Sequence, residues 1–224
     1  MKYLILFLEP WRILKRIRLF IENFLSIFPL FSFFRETRRD ECPVTLAYWF
    51  NQKVLGYNKL AYWPMHPSSQ VSFTQKILIG KNVNPGYQYG CFLHGVNGII
   101  IGDYTSIAPN VGIMSGNHDP LDLRIQVKAK PIQIGSYCWL GMNTMILANV
   151  VLGDFTIVAA GAVVTKSFEE GYCIIGGNPA RIIKKLDPTL CNRYEMKVTH
   201  IGYYPANKFD NIKQVILKNI SCAE

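Results

Sequence analysis

An imidazole with its ordinary pKa of about 6.5 can take up and return a proton at neutral pH, so the four histidines of this chain are weighed first. His118 lies in Asn117-His118-Asp119-Pro120, inside a polar, turn-rich stretch, residues 115–131. His94 lies in Cys91-Phe92-Leu93-His94-Gly95, while His66 and His200 have no supporting context. The six cysteines (Cys42, Cys91, Cys138, Cys173, Cys191 and Cys222) are dispersed, with no CxxC pair and no cleavable secretory signal. That pattern supports neither a disulfide framework nor a zinc site, and fits a reducing cytosol.

Groups of this kind need a frame. Ile134, Leu140, Ile146, Leu152, Val158 and Val164 recur at every sixth position, which is no helical period. Small or turn-forming residues follow the aliphatic one (Ile134-Gly135, Leu140-Gly141, Leu152-Gly153), and a second column of mostly small residues, Cys138, Thr144, Val150, Thr156 and Ala162, stands four places on. A period of this length predicts short strands and turns stacked into a parallel β-helix with three flat faces, each aliphatic pointing inward. Ile101, Ile107 and Ile113 carry the same spacing, and Ile77-Leu78-Ile79-Gly80 has the same aliphatic–glycine step. Between Ile113 and Ile134 the phase breaks, because Ile101 and Ile134 are 33 residues apart. Residues 115–131 are therefore expected to project as a loop from a corner of the prism, which is where chemistry tends to sit on a rigid scaffold.

With half of its residues hydrophobic, the chain can bury a sizeable core and is not disordered. Its charge of +9, from 24 Lys and Arg against 15 Asp and Glu, favours anionic partners. Residues 1–34 alternate apolar and basic clusters without the roughly 20 uncharged residues that a spanning helix needs. Two readings of this segment stay open: a helix in the interface of an anionic membrane, or an arm packed against the β-helix. The divisions expected are 1–63 as an amphipathic, aromatic extension, 64–185 as the β-helix, and 186–224 as a tail with a helix near Asn211 to Asn219.

The repeat, the Asn117-His118-Asp119-Pro120 loop, Cys138-Trp139-Leu140-Gly141, Gly161-Ala162-Val163-Val164-Thr165-Lys166 and Gly177-Asn178-Pro179-Ala180-Arg181 together resemble the hexapeptide-repeat acyltransferases. The maltose/galactoside and polysaccharide O-acetyltransferase branch is the nearest in appearance. The resemblance implies an all-β core, a left-handed parallel β-helix, with an N-terminal amphipathic helical extension and a short C-terminal helical tail. Its left hand comes from the resemblance alone, since parallel crossovers are right-handed as a rule.

The activity implied is transfer of acetyl from acetyl-CoA to a hydroxyl of a saccharide or a polysaccharide or glycolipid precursor, by a homotrimer with sites between subunits. His118 matches the general base. His94, Asn117 and Asp119 are expected on the acceptor side, and Gly141 as the backbone donor to the oxyanion. Trp139, Gly141, Ala159 and Ala160 would line the CoA arm, with Thr165, Lys166, Arg181 and Lys184 at its phosphate end.

Alternatives are N-acetylation of an amino sugar, a serine-type O-acetyltransferase, and a non-enzymatic trimeric platform. The serine-type branch needs an upstream acidic partner near Ile79, within an aliphatic run. The three-histidine zinc pattern found on the same scaffold is not matched, because only His118 lies in the loop, so no metal is expected. No nucleic-acid recognition motif accompanies the positive charge.

Overall fold

The computed structural model describes residues 10–221. The six-residue units form short parallel strands on three faces of a prism. Face one stacks Gln70–Ser72, Phe92–His94, Gly112–Met114, Met145–Ile146 and Val163–Val164. Face two stacks Ile77–Ile79, Ile99–Ile101, Ile132–Ile134 and Val151–Leu152. Face three stacks Ser106–Ile107, Trp139–Leu140, Thr156–Val158 and Cys173–Gly176, and is closed by an antiparallel strand, Arg181–Lys185. The chain visits the faces in the order one, two, three, so an undisturbed coil takes 18 residues, as from Leu140 to its partner Val158.

The inward column is the expected one: Ile134, Leu140, Ile146, Leu152, Val158 and Val164 are all buried. The second column, from Cys138 to Ala162, is buried beside it, because at the corners there is room only for small side chains. The turn residue is not where the sequence suggested. Left-handed backbone falls three places after each aliphatic, at Tyr104, Asn110, Tyr137, Asn143, Asn149, Phe155 and Gly161. The glycines directly after the aliphatics have another reason to be there: a Cβ on Gly135 or Gly141 would stand 2.6 or 2.7 Å from the backbone of the next coil.

Ile101 pairs with Ile134 across the phase break, so the coil closes as though residues 115–131 were absent. That segment leaves the prism between faces one and two and folds into its own hairpin, Asn117–His118 against Gln126–Val127.

Among the described residues four α-helices flank the prism: α1 (Pro10–Leu25), α2 (Phe33–Glu36), α3 (Leu46–Trp49) and α4 (Phe209–Ser221). The helix expected near Asn211 to Asn219 is α4, and its Ile216 and Ile220 join the main core. Phe33, Phe34 and Val44 make a separate small core with Trp49 and Tyr203 around them. Residues 1–9 of the N-terminal extension lie outside the described residues.

Candidate active site

The three corners of the prism carry different residues. The corner between faces one and two carries the extruded loop. His118 stands on its exposed hairpin, and among the described residues its imidazole has no hydrogen-bond partner. A bond from His118 to Asp119 or Asp122 is the ordinary fate of a loop histidine, but both carboxylates are committed elsewhere. Asp119 Oδ1 accepts from the Leu121 N–H at 2.8 Å, and Asp122 receives Arg124 at 2.8 and 2.9 Å. Asp119, expected on the acceptor side, also shapes the turn that presents His118. Asn117 pairs with Val127 and is exposed.

His94 ends a face-one strand directly beneath this loop. Its Nδ1 lies 2.7 Å from Ser72 Oγ on the next coil, in a hydrogen bond that fixes the ring. Phe73 meets the ring edge-on at 5.3 Å. Ser115 Oγ donates to the His94 carbonyl at 2.9 Å, tying the root of the loop to the same strand. Burial first, and then the nearby charge of His118, lower the His94 pKa, so His94 is neutral at pH 7. The sequence left His94 between an acceptor contact and a structural role; the structure brings it together with His118. Thr165 and Lys166 lie on this same corner, exposed, with the Lys166 ammonium 5.7 Å from the Phe168 ring centre.

The other expected residues gather elsewhere. Trp139 stands on face three with its ring half exposed. It shares one transverse row with Ile157, Ile174 and Lys184, which pair strand by strand up the face. At about 4.8 Å per strand that row spans roughly 14 Å, from an aromatic ring to an ammonium. Arg181 and Lys184 are exposed on the closing strand. Gly141, Ala159 and Ala160 lie on the corner between faces three and one.

Gly141 does not offer the free donor that was expected of it, because its N–H donates to Val158 O at 2.8 Å within the ladder. Ala159 N–H is spent likewise on Ile175 O at 2.8 Å. One place further on, the N–H groups of Met142 and Ala160 have no partner among the described residues. Sequence reasoning named Ala160 for the CoA arm, but neither backbone N–H as a donor. The signal for them is position alone, one residue past the ladder-bonded Gly141 and Ala159.

Within one chain, then, His118 and His94 lie on one corner, and Trp139, Met142 and Ala160 on and beside the next, with face one between them. Among the described residues no cluster of three His, Cys, Asp or Glu side chains could hold a metal ion, and the five described cysteines are free.

Residues 131–166 match the family model described as "Bacterial transferase hexapeptide (six repeats)". The chain is 29% identical over 126 residues to galactoside O-acetyltransferase of Escherichia coli K12, covering 55% of this chain and 61% of that protein. It is 29% identical over 121 residues to WcaF of the same organism, named for an acetyltransferase role in colanic acid biosynthesis, covering 54% and 65%. The chain thus spans under two thirds of the length of these curated relatives. A solved galactoside acetyltransferase in complex with coenzyme A superposes with a TM-score of 0.52 at 21% identity, over 80% of this chain and 88% of that one. Residues 131–166 thus match the repeats of the bacterial hexapeptide transferases, and the chain has the left-handed β-helix fold of galactoside acetyltransferase.

Proposed function

We propose that the protein transfers an acetyl group from acetyl-CoA to a hydroxyl of a saccharide or of a lipid-linked saccharide, as a homotrimer. The observation that carries this reading is the uncommitted imidazole of His118, held on a hairpin above the fixed, neutral ring of His94. In the reaction His118 takes the proton of the acceptor hydroxyl as its oxygen attacks the thioester carbon. Charge then develops on the carbonyl oxygen, and a fixed backbone N–H such as that of Met142 can hold it without reorganisation. Collapse of the tetrahedral intermediate breaks the carbon–sulfur bond, and the proton on His118 passes to the departing CoA sulfur.

The names of the relatives support a saccharide acceptor, since one is a galactoside O-acetyltransferase and another is named for colanic acid biosynthesis. His94 and Asn117 serve the acceptor in this reading. The Trp139–Lys184 row, with Ala159, Ala160, Arg181, Thr165 and Lys166, serves the CoA arm and its phosphates. The test is thiol release from acetyl-CoA by the full chain over a panel of glycans, with mass spectrometry of the products. His118→Ala should lower kcat about a hundredfold to ten-thousandfold, the usual worth of a general base. Turnover that survives His118→Ala, or product mass found only on amino sugars with the amine acetylated, would sink the O-transfer reading.

A further inference from the structure

Helix α1 is amphipathic, and it is turned the wrong way for a helix that packs on a core. Ile13, Ile17, Phe20, Ile21 and Phe24 follow helical spacing along one stripe, and every one of them is exposed, Phe20 at 73%. The side that touches the rest of the protein is mixed: half-buried Leu25 packs on the Phe33, Phe34 and Val44 core, beside two buried polar groups. Glu22, only 3% exposed, accepts the Leu46 N–H at 2.8 Å and stands 3.4 Å from Arg18 Nε, with buried Ser26 one turn on. The helix is therefore anchored through Glu22, Ser26 and Leu25, and its broad apolar stripe looks outward.

The stripe has a basic border. Arg12 and Arg16 lie along one edge of it with Asn23, and Arg38 Nη2 donates to Asn23 Oδ1 at 2.7 Å, which brings a third guanidinium to that edge. No acidic side chain of α1 shares the outer surface, since Glu22 is its only acid and is turned inward. Among the described residues no helix is long and apolar enough to cross a membrane.

We propose that α1 lies flat in the headgroup region of an anionic lipid bilayer, with Phe20 and Phe24 inserted and Arg16 and Arg38 on lipid phosphates. An apolar stripe bordered by cations is the composition that such an interface selects. A second copy on this face would set like-charged edges against each other, whereas an anionic lipid surface complements them. The proposal is independent of the reaction, so His118→Ala should bind vesicles as the unmodified chain does.

The full chain is floated with vesicles of phosphatidylcholine, with and without phosphatidylglycerol. It should partition strongly only onto the anionic vesicles, and less as salt rises. Arg16→Gln with Arg38→Gln should weaken that partition roughly 25-fold, at about fivefold per cation near the surface. Phe20→Asp with Phe24→Asp should abolish it with an unchanged thermal midpoint, because both rings are already in solvent. Equal binding by the phenylalanine variant, or equal binding to neutral and anionic vesicles, overturns the proposal. So does absence of vesicle binding together with self-association that the phenylalanine variant loses, which would assign the stripe to a second copy.

Discussion

His94 shows what a fixed neutral imidazole can contribute beside a free one. With Nδ1 occupied by Ser72, only Nε2 is left to face a ligand, and the lowered pKa favours the neutral ring beside His118. His94→Gln should raise the acceptor KM roughly tenfold, the worth of about one hydrogen bond, and leave the KM for acetyl-CoA unchanged. The sign of the pH effect follows from the direction of the shift. A histidine whose folded pKa lies below its ordinary value is neutral throughout the range above about 6.5 and charges only at more acid pH. The acceptor KM of the unmodified chain should therefore be flat above about pH 6.5 and rise below it, and in His94→Gln that rise should disappear; steady-state kinetics between pH 5 and pH 8 would check both. His118 was legible in the sequence because it sits where a strict period fails. The donor role of the Met142 and Ala160 N–H groups was not, although Ala160 itself was placed on the CoA arm, because no side-chain type reports which N–H groups the ladder leaves unpaired.

The third corner, between faces two and three, is built for cohesion. Tyr104, Tyr137, Phe155 and Tyr172 all sit at the left-handed turn position of successive coils, and their rings stack at centroid distances of 5.3, 4.9 and 5.2 Å. The chain after the closing strand straps this ladder. Arg193 donates to Asp154 at 2.7 Å and to the Tyr172 hydroxyl at 2.8 Å, Tyr137 donates to Tyr194 O at 2.7 Å, and Met196 N donates to the Tyr104 hydroxyl at 3.1 Å. Phe155→Ala removes two ring contacts from the middle of the ladder and should cost roughly 2 kcal/mol, lowering the melting temperature by about 4–8 °C in calorimetry. Arg193→Gln should leave the prism intact yet hasten tryptic cleavage at Lys197, since the strap loses its clamp. The six-residue period announced the coils because each aliphatic repeats the same inward environment. The strap could not be read, for its partners lie 21 to 92 residues away in sequence and nothing local in residues 186–199 is periodic.

At the scale of the whole molecule, the separation of corners decides how a complete site can form. His118 leaves the prism between faces one and two, whereas Trp139 stands on face three and Met142 on the corner beyond it. Joining them within one chain would require the hairpin to cross face one. Joining them between chains requires only that one copy's hairpin corner meet a neighbour's face three, a head-to-tail contact that closes into a ring by rotation. The outer surface is suited to such a contact: the hairpin exposes Leu121 at 96% and Leu123 at 73%, and face three exposes Trp139, Ile182 and Ile183. The trimer in the proposed reading is thereby tied to catalysis and can be tested through it. His118→Ala and Trp139→Ala chains, each inactive or nearly so alone, are mixed, unfolded and refolded together. If every site takes His118 from one copy and Trp139 from its neighbour, random assembly leaves about a quarter of the sites with both groups intact, and activity should return to about that fraction. If each chain completes its own site, no mixture restores anything. Sedimentation equilibrium on the same samples separates the two failures: chains that assemble yet stay inactive refute the shared site, and chains that never assemble refute the trimer.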